Sequence, residues 1–171
     1  THRTMKIVIT GPKGSGKSTI GREIAAAAGI PFLETDRALE EIHRRETEQF
    51  LPFREVFRAL GEEKFRALEF RAVEELSARD WCLVATGGGT MMDPRSRGLL
   101  LEGAITILLK APLHLLWERI QKDGLPPFLA CADGYREYQE RTARLYEAME
   151  WRSDIVFTVT EENQAAAHGL I

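Results

Sequence analysis

The sequence has little of what would assign it to an oxidising compartment, a metalloprotein or a membrane. Its two cysteines, Cys82 and Cys131, lie far apart and form no paired pattern. Its four histidines show no metal-ligand spacing. No apolar run approaches the roughly 20 residues that a membrane-spanning helix requires. We therefore expect a cytoplasmic protein without disulfides, and we expect Cys82, which lies inside an apolar run, to belong to the core.

The chain also lacks an excess of positive charge. Its formal net charge is −3 over 171 residues, which gives no electrostatic argument for a nucleic-acid or anionic-membrane partner. The hydrophobic fraction, 44%, and the charged fraction, 29%, are ordinary for one globular domain. We expect a monomer with a single domain over residues 5–171. The four residues ahead of Met5 are interpreted as a cloning remnant or a ragged start.

What the sequence does contain is a glycine-rich phosphate loop. Residues 11–18 read Gly-Pro-Lys-Gly-Ser-Gly-Lys-Ser, which fits G-x-x-x-x-G-K-[ST]. An apolar run precedes the loop and a helical pattern follows it, so the match is unlike a chance glycine turn. Backbone N–H groups and the helix dipole would cradle phosphates there, Lys17 would reach the β- and γ-phosphates, and Ser18 would ligate Mg²⁺. The predicted ATP-binding residues are Gly11, Lys13, Gly14, Ser15, Gly16, Lys17, Ser18 and Thr19.

Strand and helix patterns alternate along the chain. Strands are predicted over residues 6–10, 31–34, 81–86, 104–109 and 155–159. Helices are predicted over residues 17–28, 36–46, 62–78, 93–101, 112–121 and 134–150. The strands are apolar without clean alternation, as expected when both faces of a sheet are buried. This order predicts an α/β, three-layer P-loop NTPase fold with a doubly wound, parallel, five-stranded sheet and helices on both faces. The turn-rich stretch 122–134 is interpreted as a lid insertion, with an inert surface loop as the alternative.

Two carboxylates follow the second predicted strand. Ligands of α/β proteins bind at the carboxyl ends of the strands, so Glu34 and Asp36 are expected beside the phosphate loop. Glu34 would hold a Mg²⁺-bound water, and Asp36 would accept a hydrogen bond from the hydroxyl that is phosphorylated. The alternative for Asp36 is a helix N-cap, which we regard as the weaker interpretation at this position.

Three further features have both a functional and an ordinary explanation. Gly87, Gly88 and Gly89 follow the third strand and would let the backbone approach a ligand, or they form only a flexible turn. Thr86, just before them, has a hydroxyl suited to a metal-bound water. Arg66 lies four residues after Glu62, and a surface ion pair is the ordinary explanation for it. The same explanation applies to Arg141 in its charged helix.

Together these features resemble the shikimate kinase family, in the family's order and at near-family spacing over nearly the whole chain. The shared features are residues 11–18, Thr35-Asp36, Phe57, Gly61, Phe65-Arg66, Glu69, Gly87-Gly88-Gly89, Arg141 and Leu145-Tyr146. The resemblance implies a nucleoside-monophosphate-kinase-like fold with a substrate-binding helical region over about residues 36–70. It also implies transfer of the ATP γ-phosphate to the 3-hydroxyl of shikimate, in aromatic amino-acid biosynthesis.

The resemblance further implies roles for single residues. Asp36 would bind the acceptor hydroxyls, and Arg66 and Arg141 would bind the acceptor carboxylate. The backbone of the glycine triplet would close the pocket, and Arg119 would pack on adenine. Planar guanidinium groups suit a carboxylate because they present paired donors.

The chain departs from the family pattern at three places. The family's lid reads Arg-Pro-Leu-Leu, whereas here residues 126–129 read Pro-Pro-Phe-Leu, so Pro126 stands in the position of the arginine. Arg136, Lys122 and Arg119 are candidates to compensate for the lost charge. The segment 44–54 lacks the usual glycine turn, and Glu34 replaces a more usual aspartate.

Three functions remain open at this point. The first is a shikimate kinase with an atypical lid. The second is a kinase of another small hydroxy acid, of the gluconate-kinase kind. The third is a nucleotide-binding sensor without catalysis, against which the predicted acceptor residues argue.

Overall fold

A five-stranded parallel sheet forms the centre of the molecule. The computed structural model describes residues 5–161, so residues 1–4 and the end of the predicted domain lie outside the described part. The strands are β1 (Lys6–Thr10), β2 (Phe32–Glu34), β3 (Cys82–Ala85), β4 (Ala104–Lys110) and β5 (Ile155–Thr158). Their order in the sheet is β2-β3-β1-β4-β5, with every neighbouring pair parallel. The predicted sheet is therefore confirmed.

The described part of the chain also contains seven α-helices. They are α1 (Lys17–Ala28), α2 (Thr35–Thr47), α3 (Phe53–Leu60), α4 (Glu62–Ser77), α5 (Pro94–Leu101), α6 (Leu113–Asp123) and α7 (Gly134–Met149). Short 3₁₀ turns span Thr90–Met92 and Pro127–Leu129. No helix of residues 5–161 is both long enough and apolar enough to span a bilayer.

Adjacent residues of β1 show why the core has two halves. Val8 packs on one face with Val73 and Leu145, from α4 and α7. Ile9 points to the other face and packs with Ala25 of α1. Because side chains alternate along a strand, the buried centre of the sheet needs apolar residues at every position. Cys82 is 2% exposed and belongs to the first half of the core, as predicted.

Helix α3 was not predicted from the sequence. It begins after Pro52 and has only eight residues, and the proline and the short length hide it among turn residues. Its apolar residues Phe53, Val56, Phe57 and Leu60 nevertheless recur at helical spacing, and Val56 is fully buried. They pack against α2 and α4 to form a separate small core.

The lid is shorter than predicted. Helix α6 continues to Asp123, two residues beyond its predicted end, and α7 starts at Gly134. The connection therefore covers residues 124–133 rather than 122–134.

Candidate active site

The phosphate loop joins β1 to α1 at the carboxyl edge of the sheet. Gly14 and Gly16 have φ values of 84° and 89°, in the left-handed region where a side chain would strain the backbone. The ammonium of Lys17 folds back on the loop and donates to the carbonyl oxygens of Gly11 at 2.8 Å and Pro12 at 3.2 Å. Burial lowers the pKa of Lys17 to about 8, an effect that the charge of Asp36 partly opposes. The arrangement holds a cation at the floor of the loop, where a phosphate would compete with the two carbonyls.

The two predicted metal-site residues are in contact. The Ser18 hydroxyl donates to Glu34 Oε1 at 2.6 Å. The other oxygen of Glu34 lies 3.4 Å from Arg22 Nη2 and 3.9 Å from Arg37 Nε. A hydroxyl and a carboxylate thus face the mouth of the loop together, and they are hard oxygen ligands of the kind that Mg²⁺ prefers.

Asp36 is the second residue of α2 and does not cap it. Glu34 occupies the N-cap position, and no side-chain cap hydrogen bond is formed there. The N-cap alternative for Asp36 is therefore wrong. Burial, followed by the negative charge of Glu69, raises the pKa of Asp36 to about 6, while Lys17 and Lys13 act in the opposite direction. The carboxyl group is consequently poised to exchange a proton near neutral pH.

A single cleft of about 200 Å³ connects the phosphate loop with the predicted acceptor residues. Its walls include Lys17 and Ser18, which define its phosphate-loop end, and Asp36 and Arg66, which define its acceptor end. Pro127 and Phe128 of the lid also line it, as do Lys13, Phe53, Arg54 and Phe57. The residues that would hold a triphosphate and those that would hold an acceptor therefore share one space.

Arg66 lies at the acceptor end and is paired, but not with Glu62. Its Nη1 lies 2.8 Å from Glu69 Oε1, and the second oxygen of Glu69 accepts a hydrogen bond from the Thr90 hydroxyl at 2.9 Å. The predicted surface ion pair with Glu62 is therefore not formed. Instead Glu69, which is buried, fixes the guanidinium of Arg66 at the wall of the cleft.

The glycine triplet leaves room for the two acceptor side chains. A β-carbon added at Gly87 would lie 2.7 Å from Asp36 Oδ1, and one at Gly89 would lie 2.8 Å from Arg66 Nη1. A β-carbon at Gly88 would meet nothing closer than 3.7 Å, an ordinary contact. A side chain at Gly87 or Gly89 would therefore displace the Asp36 carboxylate or the Arg66 guanidinium, in addition to any effect on contact with a ligand.

Arg141 approaches the same region from α7. Its Nε lies 2.7 Å from Glu137 Oε1, and its guanidinium stacks 4.7 Å from the centre of the Phe128 ring in the lid. It lines a small neighbouring cavity of about 40 Å³, to which Arg66 and Gly89 also contribute. The two predicted carboxylate-binding arginines therefore converge, although each is held by a glutamate of its own helix.

The sequence also singles out Arg119, Lys122, Arg136 and Thr86, which do not share one site. Arg119 donates to the Gly14 carbonyl at 2.7 Å, and beside it Lys122 lines a more apolar cavity next to β5. Arg136 has a 73% exposed side chain that pairs with Glu140. Thr86 donates its hydroxyl to the buried Thr10 hydroxyl at 2.9 Å.

Sequence reasoning missed Arg54 and the helix that carries it. Arg54 lines the cleft from α3, opposite the sheet. The spacing of Phe53, Val56, Phe57 and Leu60 would have revealed the helix, but nothing in the sequence says that Arg54 turns toward the phosphate loop.

Comparison with known proteins agrees with this geometry. The family model described as Shikimate kinase matches residues 13–171. The chain is 37% identical over 123 residues to a shikimate kinase of Rhizobium leguminosarum bv. trifolii, and the match covers 72% of this chain and 60% of that protein. It is 34% identical over 159 residues to a shikimate kinase of Thioalkalivibrio sulfidiphilus, and this match covers 93% of this chain and 77% of that protein.

A solved structure shows the same fold. The shikimate kinase from Acinetobacter baumannii in complex with shikimate superposes with a TM-score of 0.80 at 23% identity, covering 97% of this chain and 94% of that one. The matched region spans about 60% of the length of the Rhizobium relative. On the extent of the family match and on the layout of its cleft, the chain belongs to the shikimate kinase family.

Proposed function

We propose that this protein transfers the γ-phosphoryl group of ATP to the 3-hydroxyl of shikimate, as a step of aromatic amino-acid biosynthesis. The observation that carries the proposal is the single cleft whose wall contains Lys17, Asp36 and Arg66. A phosphate site, a carboxylate for a hydroxyl and a guanidinium for an acid group are the three elements that this reaction needs. Membership of the shikimate kinase family supports the choice of shikimate over other hydroxy acids.

In this proposal Asp36 orients the acceptor. Its carboxylate accepts a hydrogen bond from the attacking hydroxyl and takes up the proton as the new O–P bond forms. The bond between the γ-phosphorus and the β,γ-bridging oxygen breaks, and ADP leaves with the negative charge. Lys17 stabilises the charge on the phosphate oxygens, since it exchanges its two carbonyl partners for them. Catalysis here consists mainly of positioning and charge stabilisation.

The acid group of shikimate would lie against Arg66 and Arg141. Each guanidinium keeps free N–H donors after pairing with one glutamate oxygen through a single nitrogen. Two arginines from different helices would grip the carboxylate and fix the ring between them and Asp36.

We also propose that Mg²⁺ binds with ATP at Ser18, with Glu34 acting through a water molecule. The Ser18 hydroxyl and the Glu34 carboxylate lie together at the loop, and both are hard oxygen ligands of the kind that Mg²⁺ prefers. Among residues 5–161 no cluster of three or more His, Cys, Asp or Glu side chains suits a metal, so phosphates and water would complete its coordination. Held there, Mg²⁺ would offset the negative charge of the phosphate oxygens.

An ADP-release assay with alternative acceptors tests this function. We expect ADP release with shikimate, little with gluconate, and a strongly raised KM for shikimate methyl ester, which lacks the carboxylate charge. Preference for gluconate would favour the second function considered above. Tight ATP binding without acceptor-dependent ADP release would favour a sensor. The monomeric state and cytoplasmic location remain predictions, of which the first is checked by analytical ultracentrifugation.

A further inference from the structure

We propose that Arg54 of α3, assisted by Lys13 of the phosphate loop, supplies the positive charge that stabilises the transferring phosphoryl group. The proposal rests on the function proposed above and adds a catalytic residue to it. In this cleft the additional positive charge comes from α3, while the lid contributes only apolar side chains.

The first observation concerns the lid. Residues 124–133 contain no lysine or arginine. The two lid residues in the cleft wall are Pro127 and Phe128, which carry no charge. The transition state of phosphoryl transfer spreads negative charge over three oxygens, and cations around it provide much of the catalysis. A cation beyond Lys17 must therefore come from another element.

The second observation is that Arg54 is available. It is half-buried in the cleft wall, and its Nη1 would lie 3.8 Å from a β-carbon added at Gly124, where the lid begins. Across the described chain, no carboxylate forms an ion pair with Arg54. Arg66 and Arg141 are each paired with a glutamate. A half-buried guanidinium with no carboxylate beside it is an unsatisfied charge that an anion would neutralise.

The third observation is the position of Lys13. Its ammonium lies 5.5 Å from the centre of the ring of Phe53, the residue before Arg54. Burial lowers the pKa of Lys13, and the positive charge of Arg54 lowers it further, while Asp36 and Asp123 raise it. The two cations therefore lie close enough to repel each other. Binding of a polyphosphate between them would remove that repulsion.

The charges of the cleft lead to the same conclusion. Four basic side chains line it, Lys13, Lys17, Arg54 and Arg66. Three acidic ones do so, Glu34, Asp36 and Glu69. The excess is one positive charge, and without Arg54 the cleft would be neutral.

Arg54 is also held on a rigid support. The backbone N–H of Phe53 donates to Glu40 Oε1 at 2.9 Å, and Glu40, which is buried, is fixed by Arg37 Nη1 at 2.7 Å. Val56, two residues after Arg54, is fully buried in the small core of α2, α3 and α4. The backbone that carries Arg54 is thus fixed before substrate binds, which reduces the reorganisation that electrostatic stabilisation of a transition state would otherwise cost.

Kinetics of Arg54→Ala, with Arg58→Ala as a matched control, test the proposal. Arg58 lies one turn further along α3, has an exposed side chain and pairs with Glu55. We expect kcat of Arg54→Ala to fall by about 10²-fold or more, by analogy with other phosphoryl-transfer arginines. The KM for shikimate should stay within about threefold. Arg54→Lys should retain part of the activity, and Arg58→Ala should match wild type.

A binding measurement separates this proposal from the proposed function. Calorimetry with ADP and with a non-hydrolysable ATP analogue reports contact with the γ-phosphate without any turnover. We expect Arg54→Ala to lower the affinity for the analogue by about tenfold and to leave the affinity for ADP unchanged. Pro126→Arg introduced into Arg54→Ala should recover at least part of the lost kcat. A polar and uncharged variant, Arg54→Gln, gives the same information should Arg54→Ala fold poorly.

Two results would overturn the proposal while leaving the function intact. The first is a folded Arg54→Gln protein whose kcat equals that of wild type and whose ratio of affinities for the ATP analogue and for ADP is also unchanged. The other is a loss of kcat on Lys13→Ala with none on Arg54→Ala or Arg54→Gln, which would assign the charge to Lys13 alone. Absence of any turnover of shikimate by wild type would instead reject the function, and the affinity ratio would still decide the role of Arg54.

Discussion

The phosphate-loop end and the acceptor end of the cleft are built in opposite ways. The phosphate loop consists of consecutive residues, and its binding groups are mostly backbone N–H donors preset by glycines such as Gly14 and Gly16. The acceptor end gathers Asp36 from α2 and Arg66 from α4, and Arg141 of α7 lines the small cavity beside it. The first depends on local conformation, whereas the second depends on how distant helices pack.

The two ends also hold their cations differently. Lys17 rests on backbone carbonyls that phosphate can replace, whereas Arg66 and Arg141 keep glutamate partners on their own helices. An ion pair at i, i+3 or i, i+4 therefore does not argue against a binding role. It holds a guanidinium in place through one nitrogen and leaves the others free.

The largest expected effect is at the phosphate end. Lys17→Ala should lower kcat/KM by about 10³-fold or more, because it removes the charge that faces the phosphates. The fold should persist, since α1 and the core beside it do not use the Lys17 side chain. Steady-state kinetics, ATP-analogue titration and circular dichroism measure these outcomes. Near-normal turnover in the folded variant would refute the assignment of the phosphate end.

At the acceptor end, Asp36→Asn should lower kcat by about 10²-fold, because an amide cannot take up the hydroxyl proton. ATP affinity should stay within about threefold, and this would distinguish the two ends of the cleft. Kinetics and nucleotide titration on the same preparation check both numbers.

The stability of the Asp36→Asn variant provides the control. Since the pKa of Asp36 is raised to about 6, the ionised carboxylate is disfavoured in the fold above that pH. Removing the charge should therefore not reduce the midpoint of urea unfolding at pH 7.5. A kcat equal to that of wild type would remove Asp36 from the mechanism.

The glycine triplet allows a finer comparison within the acceptor end. Gly89→Ala should raise the KM for shikimate by about tenfold, since the new methyl group displaces the Arg66 guanidinium from its place. Gly88→Ala is the matched variant and should have a smaller effect, because its methyl group meets only ordinary contacts. Equal effects of the two substitutions would mean that the triplet acts through the ligand and not through Arg66.

The smallest effect is the dependence on pH. For the free protein, kcat/KM for the acceptor should rise as Asp36 loses its proton around pH 6. Affinity for ATP should fall above about pH 8, where Lys17 becomes neutral, by up to about tenfold per pH unit. Profiles of kcat/KM and of ATP affinity measured from pH 5 to pH 9 check both effects. If kcat/KM of Asp36→Asn still rises around pH 6, the titration belongs to another group.

Much of the fold was predictable because its causes are local. The five strands are apolar runs, and the helices between them have recognisable starts and ends, as in the Asp93 side chain that caps α5. Errors occurred where the local pattern was weak. Helix α3 was missed because Pro52 and its short length concealed it, and α6 ran two residues past its predicted end.

By itself the sequence determined the parallel sheet and the phosphate loop, because hydrophobic pattern and a contiguous motif encode them. The family was indicated by the resemblance of several separate motifs that occur in the family's order. Only the tertiary structure decided that Arg66 pairs with Glu69, that Gly87 and Gly89 make room for acceptor side chains, and that Arg54 faces the cleft. These facts depend on packing between elements far apart in the chain. The anchoring of α3 by Glu40 across 13 residues is an example that no periodicity in the sequence could reveal.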